Sequence, residues 1–240
     1  MSDDAAPAVP KALPGEAEPY EAVPLPARPR RSAAEATTAA QAFRAAMSDR
    51  RSTRDFSDAP VPRAAIEAAV MAAAGAPSGA NQQPWHFVAV GDADAKARIR
   101  AAAEEEERAF YAGGGGDAWL RALEPIGTGP DKPHLTTAPW LVVVFAERYG
   151  VGPDGARRKN YYVNESVGIA TGFLICALHH AGLATLTHTP NPMGFLNALC
   201  ARPANERPVM ILAVGHAARG ATHPRAAARK KPMDEVLTVL

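Results

Sequence analysis

The fold is decided by two stretches, Arg50-Arg51-Ser52-Thr53-Arg54 and Ala76-Pro77-Ser78-Gly79-Ala80-Asn81-Gln82-Gln83-Pro84-Trp85, which lie about one helix apart in the sequence. The first stretch offers guanidinium groups and a hydroxyl, which suit a phosphate. The second combines a glycine-permitted turn, whose backbone N–H groups are exposed, with the start of a strand. Together they suit a ligand that has a phosphate at one end and a flat polar ring system at the other.

Each stretch also has a simpler interpretation. Arg50, Arg51 and Arg54 could be a solvated basic end to a helix, where cations offset the C-terminal dipole. Residues 77–80 could form only a turn. The three consecutive amide side chains at 81–83, next to Trp85, exceed what a turn requires and favour a binding role for the second stretch.

Composition limits the possible functions. The chain has 240 residues, enough for one domain with a real core. Its 26 basic residues balance 25 acidic ones, so it lacks the basic excess that nucleic acid or an anionic membrane would attract. No apolar run reaches the ~18 residues of a membrane span, and the acidic N-terminus has no leader pattern, so we expect a cytoplasmic protein. Cys176 and Cys200 lack metal-binding spacing and are expected to be free thiols, and no metal site is predicted.

Hydrophobic periodicity divides the chain into an arm and one domain. Residues 1–33 are rich in proline and alanine and are predicted to be disordered, whereas residues 34–240 form the folded domain. The spacing predicts helices at 35–50, 64–74, 93–111, 161–181 and 195–200, and strands at 85–90, 140–145, 185–189, 208–214 and 236–240. This order predicts an α+β fold in which helices cover both faces of a mixed central sheet. The helix at 161–181 is apolar almost all round, so a partner subunit is its natural cover.

A second candidate site surrounds a predicted lid at about 104–135. Gly113–Gly116 must interrupt the preceding helix, and long loops in compact domains are often lids. The weakly patterned loop could contain a short helix at Trp119–Leu123. Glu107 and Tyr111 are four residues apart and share a helix face, and Lys132 lies at the other edge of the loop. A carboxylate, a phenol and an ammonium group that converge on one ligand would fit a zwitterionic amino acid. On the residue pattern alone, the glutamates at 104–107 are more typical of a solvated helix face.

Two further features stay open on the residues alone. His188 lies between two threonines, and a lone histidine without a partner at ligand spacing does not indicate a metal site. The basic run Arg229-Lys230-Lys231 is either a solvated tail or a second positive contact to the phosphate.

From about Met47 to the C-terminus, the chain resembles the nitroreductase-like flavoprotein superfamily, and more narrowly its iodotyrosine deiodinase branch. The motifs that carry the resemblance are Arg50-Arg51-Ser52-Thr53-Arg54, Ala76-Pro77-Ser78-Gly79-Ala80, Asn160-Tyr161-Tyr162-Val163-Asn164-Glu165-Ser166-Val167-Gly168-Ile169-Ala170, Ala181-Gly182-Leu183-Ala184-Thr185, Thr187-His188-Thr189-Pro190 and Lys230-Lys231-Pro232. The helix with Glu107 and Tyr111, followed by Lys132, is more specific to deiodinases. The resemblance implies a nitroreductase-like three-layer fold, a domain-swapped homodimer and FMN bound at the subunit interface.

The resemblance also implies roles for individual residues in FMN binding. The implied contacts are Arg50, Arg51, Ser52, Thr53, Arg54, Ser78, Gly79, Thr187, His188, Thr189 and Lys230. Among them, Ser78 and Gly79 would reach the flavin from the partner chain. Thr189 is the implied catalytic residue, as a hydrogen-bond donor to flavin N5.

The implied substrate site lies over the flavin. Glu107, Tyr111 and Lys132 would hold the two charged ends of the substrate, and the backbone N–H of Ala80 would hold its phenolate oxygen. The chain departs from the expected pattern at two positions. His188 stands where a threonine is expected, and Lys230 stands where an arginine is expected. A lysine ammonium group cannot replace the two parallel donors of an arginine guanidinium.

These implications make FMN-dependent reductive dehalogenation of halogenated tyrosines the leading hypothesis, with halide and tyrosine as products. A generic NAD(P)H-dependent FMN nitroreductase or quinone reductase would share the fold, the dimer and the cofactor without needing a zwitterion site. A flavin-fragmenting protein would lack the set Glu107, Tyr111 and Lys132, and a simple binding module would contain no flavin. The electron donor, NAD(P)H or a reductase protein, is left open by the sequence.

Overall fold

The computed structural model describes residues 20–152 and 154–240, so the predicted arm lies partly outside the described residues. Residues 20–31 are exposed and have no regular secondary structure. The first helix begins after Ser32, whose hydroxyl accepts a hydrogen bond from Glu35 N, while the Glu35 carboxylate accepts one from Ser32 N. This reciprocal cap fixes the start of the first helix.

The order of helices and strands follows the predicted order closely. The helices are α1 Ala33–Asp49, α2 Arg63–Ala74, α3 Ala93–Ala109, α4 Asp117–Leu123, α5 His134–Thr137, α6 Val163–His180 and α7 Phe195–Leu199. The strands are β1 Trp85–Val90, β2 Trp140–Glu147, β3 Tyr149–Val151, β4 Arg157–Lys159, β5 Ala184–His188 and β6 Glu206–Gly215. None of the helices among the described residues combines the length and the apolar character that crossing a membrane requires.

Four strands form the central sheet, in the order β1-β2-β6-β5, and each neighbouring pair is antiparallel. The four-stranded sheet is therefore antiparallel and not mixed as predicted. Beside it, Ser52 forms an isolated parallel bridge with Thr185 of β5. β3 and β4 form a separate antiparallel hairpin, which the sequence patterns did not predict. The edge bridge matters for function because it attaches the arginine-rich stretch to β5.

Helices cover both faces of the central sheet and produce three layers. On one face, α2 and α6 pack against Val142 and Val144 of β2. On the other face, α3, α5 and α7 pack against Leu141 and Val143. β2 is therefore buried on both sides, as its uninterrupted apolar sequence predicted. The predicted three-layer α+β fold is confirmed.

α6 is covered by its own chain on one side only. Ile169 and Phe173 on its other side are 42% and 44% exposed. α1 adjoins the C-terminal half of α6, where Met47 Sδ lies 3.5 Å from Cys176 Sγ, and α1 contains no buried residue. The described chain therefore presents an uncovered face along α1 and α6, which includes the large apolar side chains of α6.

The predicted lid is more ordered than its sequence suggested. α3 widens into a π-helical turn at Phe110–Gly114, in which Gly113 adopts a φ of 122°. α4 and a 3-10 turn at Glu124–Ile126 follow. The Phe110 ring contacts the rings of Tyr111 and Trp119 edge to face, at centroid distances of 5.3 and 5.0 Å. The glycines end α3 as predicted, and α4 contains the short helix expected at Trp119–Leu123. The 3-10 turn that follows was not predicted.

The strand predicted at residues 236–240 is wrong for this chain. Met233–Glu235 forms a short 3-10 turn, and the five residues after it are exposed and belong to neither described sheet. An extended segment becomes a strand only when a neighbouring backbone completes its hydrogen bonds. The apolar tail has no such neighbour within the described chain.

Two buried histidines lie on the α5 side of the sheet. His134 and His188 are 5% and 7% exposed, and their rings meet edge to face at 5.4 Å. Burial lowers the pKa of His134 to about 4, and the nearby charge of Lys132 acts in the same direction. Burial also lowers the pKa of His188 to about 3, with further contributions from His134 and Lys132. Both rings are therefore neutral near pH 7.

Acidification is expected to destabilise the protein through these two histidines. Because their pKa values in the folded state lie below the ordinary 6.5, the unfolded chain takes up protons first as the pH falls. Their contribution to stability is complete above about pH 6.5 and is lost toward pH 4 and then pH 3, by up to about 1.4 kcal/mol per pH unit for each ring. Urea unfolding between about pH 7.5 and pH 5 measures this slope.

Matched variants identify the source of the slope. The free energy of unfolding should depend less steeply on pH in the double variant His134→Gln with His188→Gln. The exposed His180→Gln should retain the slope of the original protein. Equal slopes in all three proteins would show that the buried rings do not cause the effect.

Candidate active site

The stretch Arg50–Arg54 is fixed along the outer edge of β5. Ser52 pairs with Thr185 in the parallel bridge, and all five residues of the stretch are half-buried. The Arg51 guanidinium donates to two backbone carbonyl oxygens at the end of α1, which ties the stretch to that helix. The structure thus brings three cationic side chains and a hydroxyl to the edge of β5.

The end of β5 presents its side chains to two different sides, because successive side chains of a strand alternate. Thr187 and Thr189 are exposed, whereas His188 between them is buried. The two threonines are therefore accessible to a ligand at the end of β5. The imidazole of His188 faces the protein interior and the lid.

The lid brings the three predicted substrate residues together. Lys132 Nζ lies 2.9 Å from Glu107 Oε2, and the side chains are only 5% and 12% exposed. The same ammonium group lies 5.6 Å from the centroid of the Tyr111 ring and 3.3 Å from Thr128 Oγ1. Glu107 lies in the last turn of α3, and Tyr111 lies in the π-helical turn that follows it. Their spacing of four residues brings them to one side of this helix. We call Glu107, Tyr111 and Lys132 the charged clamp.

His188 lies directly beside the charged clamp. Its Nε2 atom is 3.8 Å from Glu107 Oε1, while the other oxygen of the carboxylate contacts Lys132. Among the residues that the structure describes, Nε2 of His188 and Nε2 of His134 are buried without a hydrogen-bond partner. Buried polar atoms normally have partners. The clamp therefore lies next to the end of β5. Beside Glu107, the Nε2 atom of His188 is still able to form a hydrogen bond.

The turn at Ser78–Ala80 lies elsewhere, against the start of α6. Gly79 N donates to Ser166 Oγ at 3.4 Å, and a Cβ on Gly79 would lie only 2.7 Å from the Tyr161 carbonyl oxygen. Only glycine tolerates such an approach. Ala80 follows with a φ of 49°, in the left-handed region. The turn is consequently held in one conformation by close packing.

The two predicted FMN-binding regions lie at opposite ends of α6 within one chain. The turn contacts Ser166 near the start of the helix, whereas Met47 of α1, just before Arg50, contacts Cys176 near its end. At 1.5 Å per residue, these contacts are about 15 Å apart along the helix. The two predicted FMN-binding regions are therefore separate within one chain.

Lys230 is exposed in the C-terminal tail. It follows the short helical turn Arg225–Ala228, which packs against Glu124–Ile126 of the lid. A contact between Lys230 and a phosphate stays a prediction.

Two residues near the clamp escaped the sequence reasoning. Glu104 Oε1 accepts a hydrogen bond from Lys132 N at 2.7 Å, and His134 packs on His188. One signal could have found Glu104, because it lies one helical turn before Glu107. His134 has no comparable signal, since only tertiary packing brings it to His188.

Comparison with known proteins agrees with this geometry. Residues 47–216 match the model of the nitroreductase family. An iodotyrosine deiodinase from Haliscomenobacter hydrossis is 52% identical over 178 residues, which cover 74% of this chain and 80% of that protein. Iodotyrosine deiodinase 1 from Homo sapiens is 38% identical over 201 residues, which cover 83% of this chain and 69% of that protein.

The fold shows the same relationship. A crystal structure of oxidized iodotyrosine deiodinase bound to FMN and 3-iodo-L-tyrosine matches this chain with a TM-score of 0.66 and 30% sequence identity. The match covers 82% of this chain and 97% of that one. Because the family model spans most of the chain and the deiodinases match over most of their own length, the chain belongs to the nitroreductase family, in its iodotyrosine deiodinase branch.

Proposed function

We propose that this protein is an FMN-dependent oxidoreductase that removes halogen reductively from halogenated tyrosines and releases halide and tyrosine. The observation that carries the proposal is the buried ion pair of Glu107 and Lys132, with Tyr111 beside it, near the end of β5. This clamp offers one partner for the ammonium group and one for the carboxylate of an amino acid. The relatives at 52% and 38% identity are named iodotyrosine deiodinases, which supports the same substrate class.

The residues around the end of β5 fit FMN. The half-buried stretch Arg50–Arg54 supplies cationic donors for the phosphate and the hydroxyl groups of Ser52 and Thr53. Thr187 and Thr189 are exposed and can reach the ring system, where Thr189 is the proposed donor to flavin N5. His188 would contribute its backbone, and Lys230 would add a further positive charge. FMN, when bound, supplies the electrons for reductive cleavage of the carbon–halogen bond.

The substrate would replace the ion pair of the clamp. Lys132 binds the carboxylate of the ligand, Glu107 binds its ammonium group, and Tyr111 donates a hydrogen bond. Because the ligand carries both charges, neither buried residue is left without a counter-charge. The backbone N–H of Ala80 binds the phenolate oxygen at the other end of the ligand. The lid excludes water from this site, which strengthens each charged contact.

A homodimer would complete the site. Ile169 and Phe173 form an exposed apolar face on α6, which also includes Gly168 and Gly172 with open space above them. A second copy that covers this face would bring the turn at Ser78–Ala80 of one subunit to the FMN of the other. The exposed apolar tail at 236–240 pairs with no described strand of its own chain, which favours exchange with the partner and hence a domain-swapped dimer.

The cellular setting follows from simpler observations. Cys176 and Cys200 are free thiols, which fits a reducing compartment, and we place the protein in the cytoplasm. The electron donor is NAD(P)H or a reductase protein.

Dehalogenation of 3-iodotyrosine tests the function directly. The protein is loaded with FMN, reduced with dithionite without oxygen and mixed with 3-iodotyrosine, and tyrosine and iodide are quantified by chromatography. We expect both products in equal amounts, and neither in a mixture that lacks protein. Rapid NADH-dependent reduction of nitroaromatics without any tyrosine from 3-iodotyrosine would instead identify a generic nitroreductase. A protein that binds no flavin would contradict the proposal altogether.

Substitutions in the charged clamp should separate substrate binding from FMN binding. Glu107→Gln and Lys132→Ala each leave a buried site with one unpaired charge, so the Kd of 3-iodotyrosine should rise by about tenfold or more. Tyr111→Phe should have a smaller effect, because it removes one hydrogen bond. Quenching of flavin fluorescence measures the Kd, and the flavin-to-protein ratio is determined on the same samples.

The control for these variants is Glu105→Gln, which changes an exposed member of the same glutamate run. It should bind both FMN and 3-iodotyrosine like the original protein. Loss of FMN from the clamp variants would show that the clamp supports the fold rather than the substrate.

Disruption of the exposed face of α6 should separate the subunits. Phe173→Glu places a charge on that face, so we expect sedimentation to change from twice the 25.2 kDa chain mass to the single-chain mass, together with loss of FMN. Met71→Glu, which changes an exposed apolar residue of α2, should leave the dimer intact. A Phe173→Glu protein that stays dimeric and yellow would place the interface elsewhere.

A further inference from the structure

The four consecutive glutamates at 104–107 are not equivalent in the structure. Glu105 is exposed, whereas the side chains of Glu104 and Glu107 are only 15% and 12% exposed. These two residues are one helical turn apart on α3 and face the same side. Glu107 belongs to the charged clamp, and Glu104 has a separate set of partners.

Glu104 binds the main chain of the clamp lysine. Its Oε1 atom accepts hydrogen bonds from Lys132 N and from Arg100 Nε, each at 2.7 Å. Lys132 is 4% exposed, and its ammonium group contacts Glu107 and Thr128. Two glutamates of one helix face therefore hold the two ends of a single lysine, Glu104 at the backbone and Glu107 at the ammonium group.

Further contacts extend this attachment along α3. Arg100 Nη1 donates to Thr136 Oγ1 at 3.0 Å, and Lys96 Nζ donates to the Ala138 carbonyl oxygen at 2.7 Å. Lys96, Arg100 and Glu104 follow one another at intervals of four residues, so they form one row on the helix. The row fixes residues 132–138 against the helix that carries Glu107 and continues into Tyr111.

The charge state of Glu104 suits this role. Burial opposes ionisation of its carboxyl group, but the hydrogen bond from Lys132 N–H and the contact with Arg100 outweigh it and hold the pKa below its usual range. Glu104 is therefore an ionised acceptor near pH 7. Its hydrogen bonds to N–H donors are stronger than those of a neutral acceptor.

We propose that Glu104 is a positioning residue for substrate binding, which holds the backbone of Lys132 so that its ammonium group lies where the substrate carboxylate binds. The proposal rests on the proposed function and deepens it, since Glu104 acts through Lys132 and does not touch the substrate. Substrates with an amino-acid group depend on Glu104. Reactions of the same flavin with compounds that lack this group do not.

The test compares Glu104→Ala, Glu104→Gln and the exposed control Glu105→Ala in the FMN-loaded protein. Hydrogen exchange of the Lys132 amide is measured without ligand, and KM and kcat are measured for 3-iodotyrosine. Reoxidation of the reduced flavin by nitrobenzene serves as the reaction that does not need the clamp. We expect faster exchange in Glu104→Ala and a KM raised on the order of tenfold.

In the same variant, the flavin content and the rate with nitrobenzene should stay within about twofold of the original protein. Glu104→Gln retains an acceptor oxygen and should lie between the original protein and Glu104→Ala in both exchange and KM. Glu105→Ala should match the original protein throughout. This pattern would support positioning, because a purely structural role would lower flavin content and both reactions together.

Unchanged exchange of the Lys132 amide in Glu104→Ala would overturn the proposal, as would faster exchange with an unchanged KM. A uniform loss of flavin and of both reactions would overturn it in favour of a structural role. Failure of the original protein to convert 3-iodotyrosine at all would refute the proposed function instead. The exchange measurement would then still decide whether Glu104 fixes Lys132.

Discussion

The proposed binding site depends on one buried contact, the ion pair between Glu107 and Lys132. A buried charge is tolerated only when a counter-charge compensates for the lost hydration, and removal of one partner costs more than the pair contributes. The contact joins Lys132 to the end of α3, and in the proposed function it also selects the ligand. A molecule that carries both charges can replace each partner, whereas a molecule with one charge leaves the other residue uncompensated. The packing of Lys132 on α3 and the proposed recognition of an amino acid thus share one electrostatic requirement.

α6 imposes a second constraint, because it separates the two predicted FMN-binding regions along its length. The turn at Ser78–Ala80 can pack against the start of this helix only because position 79 is a glycine, and α1 packs against the end of it. The same helix exposes Ile169 and Phe173 between those ends. The exposed side chains thus lie between the two predicted FMN-binding regions. Dimerisation and assembly of the flavin site are consequently expected to be one event.

The sequence predicted those features that depend on local periodicity or on short spacing. The apolar run of β2 and the spacing between Glu107 and Tyr111 could be read directly. The short helix at Trp119–Leu123 could be expected from the sequence, but the contact between Phe110 and Trp119 across the four glycines could not. The role of Glu104 could not be predicted, because the four consecutive glutamates are typical of a solvated helix face. Its partner Lys132 is distant in the sequence. At residues 236–240 the sequence predicted a strand that the structure does not contain. Strand propensity produces a strand only where a neighbouring backbone completes the hydrogen bonds.

The histidine at 188, where a threonine was expected, changes the chemistry beside the clamp. Strand alternation directs His188 away from the exposed faces of Thr187 and Thr189 and toward Glu107. Burial, with His134 and Lys132, lowers the pKa of His188 to about 3, so the ring is neutral and adds no positive charge to compete with an ammonium group. A neutral imidazole still has one N–H to donate. The carboxylate of Glu107 therefore contacts the ammonium group of Lys132 through one oxygen, while its other oxygen lies 3.8 Å from an uncharged ring.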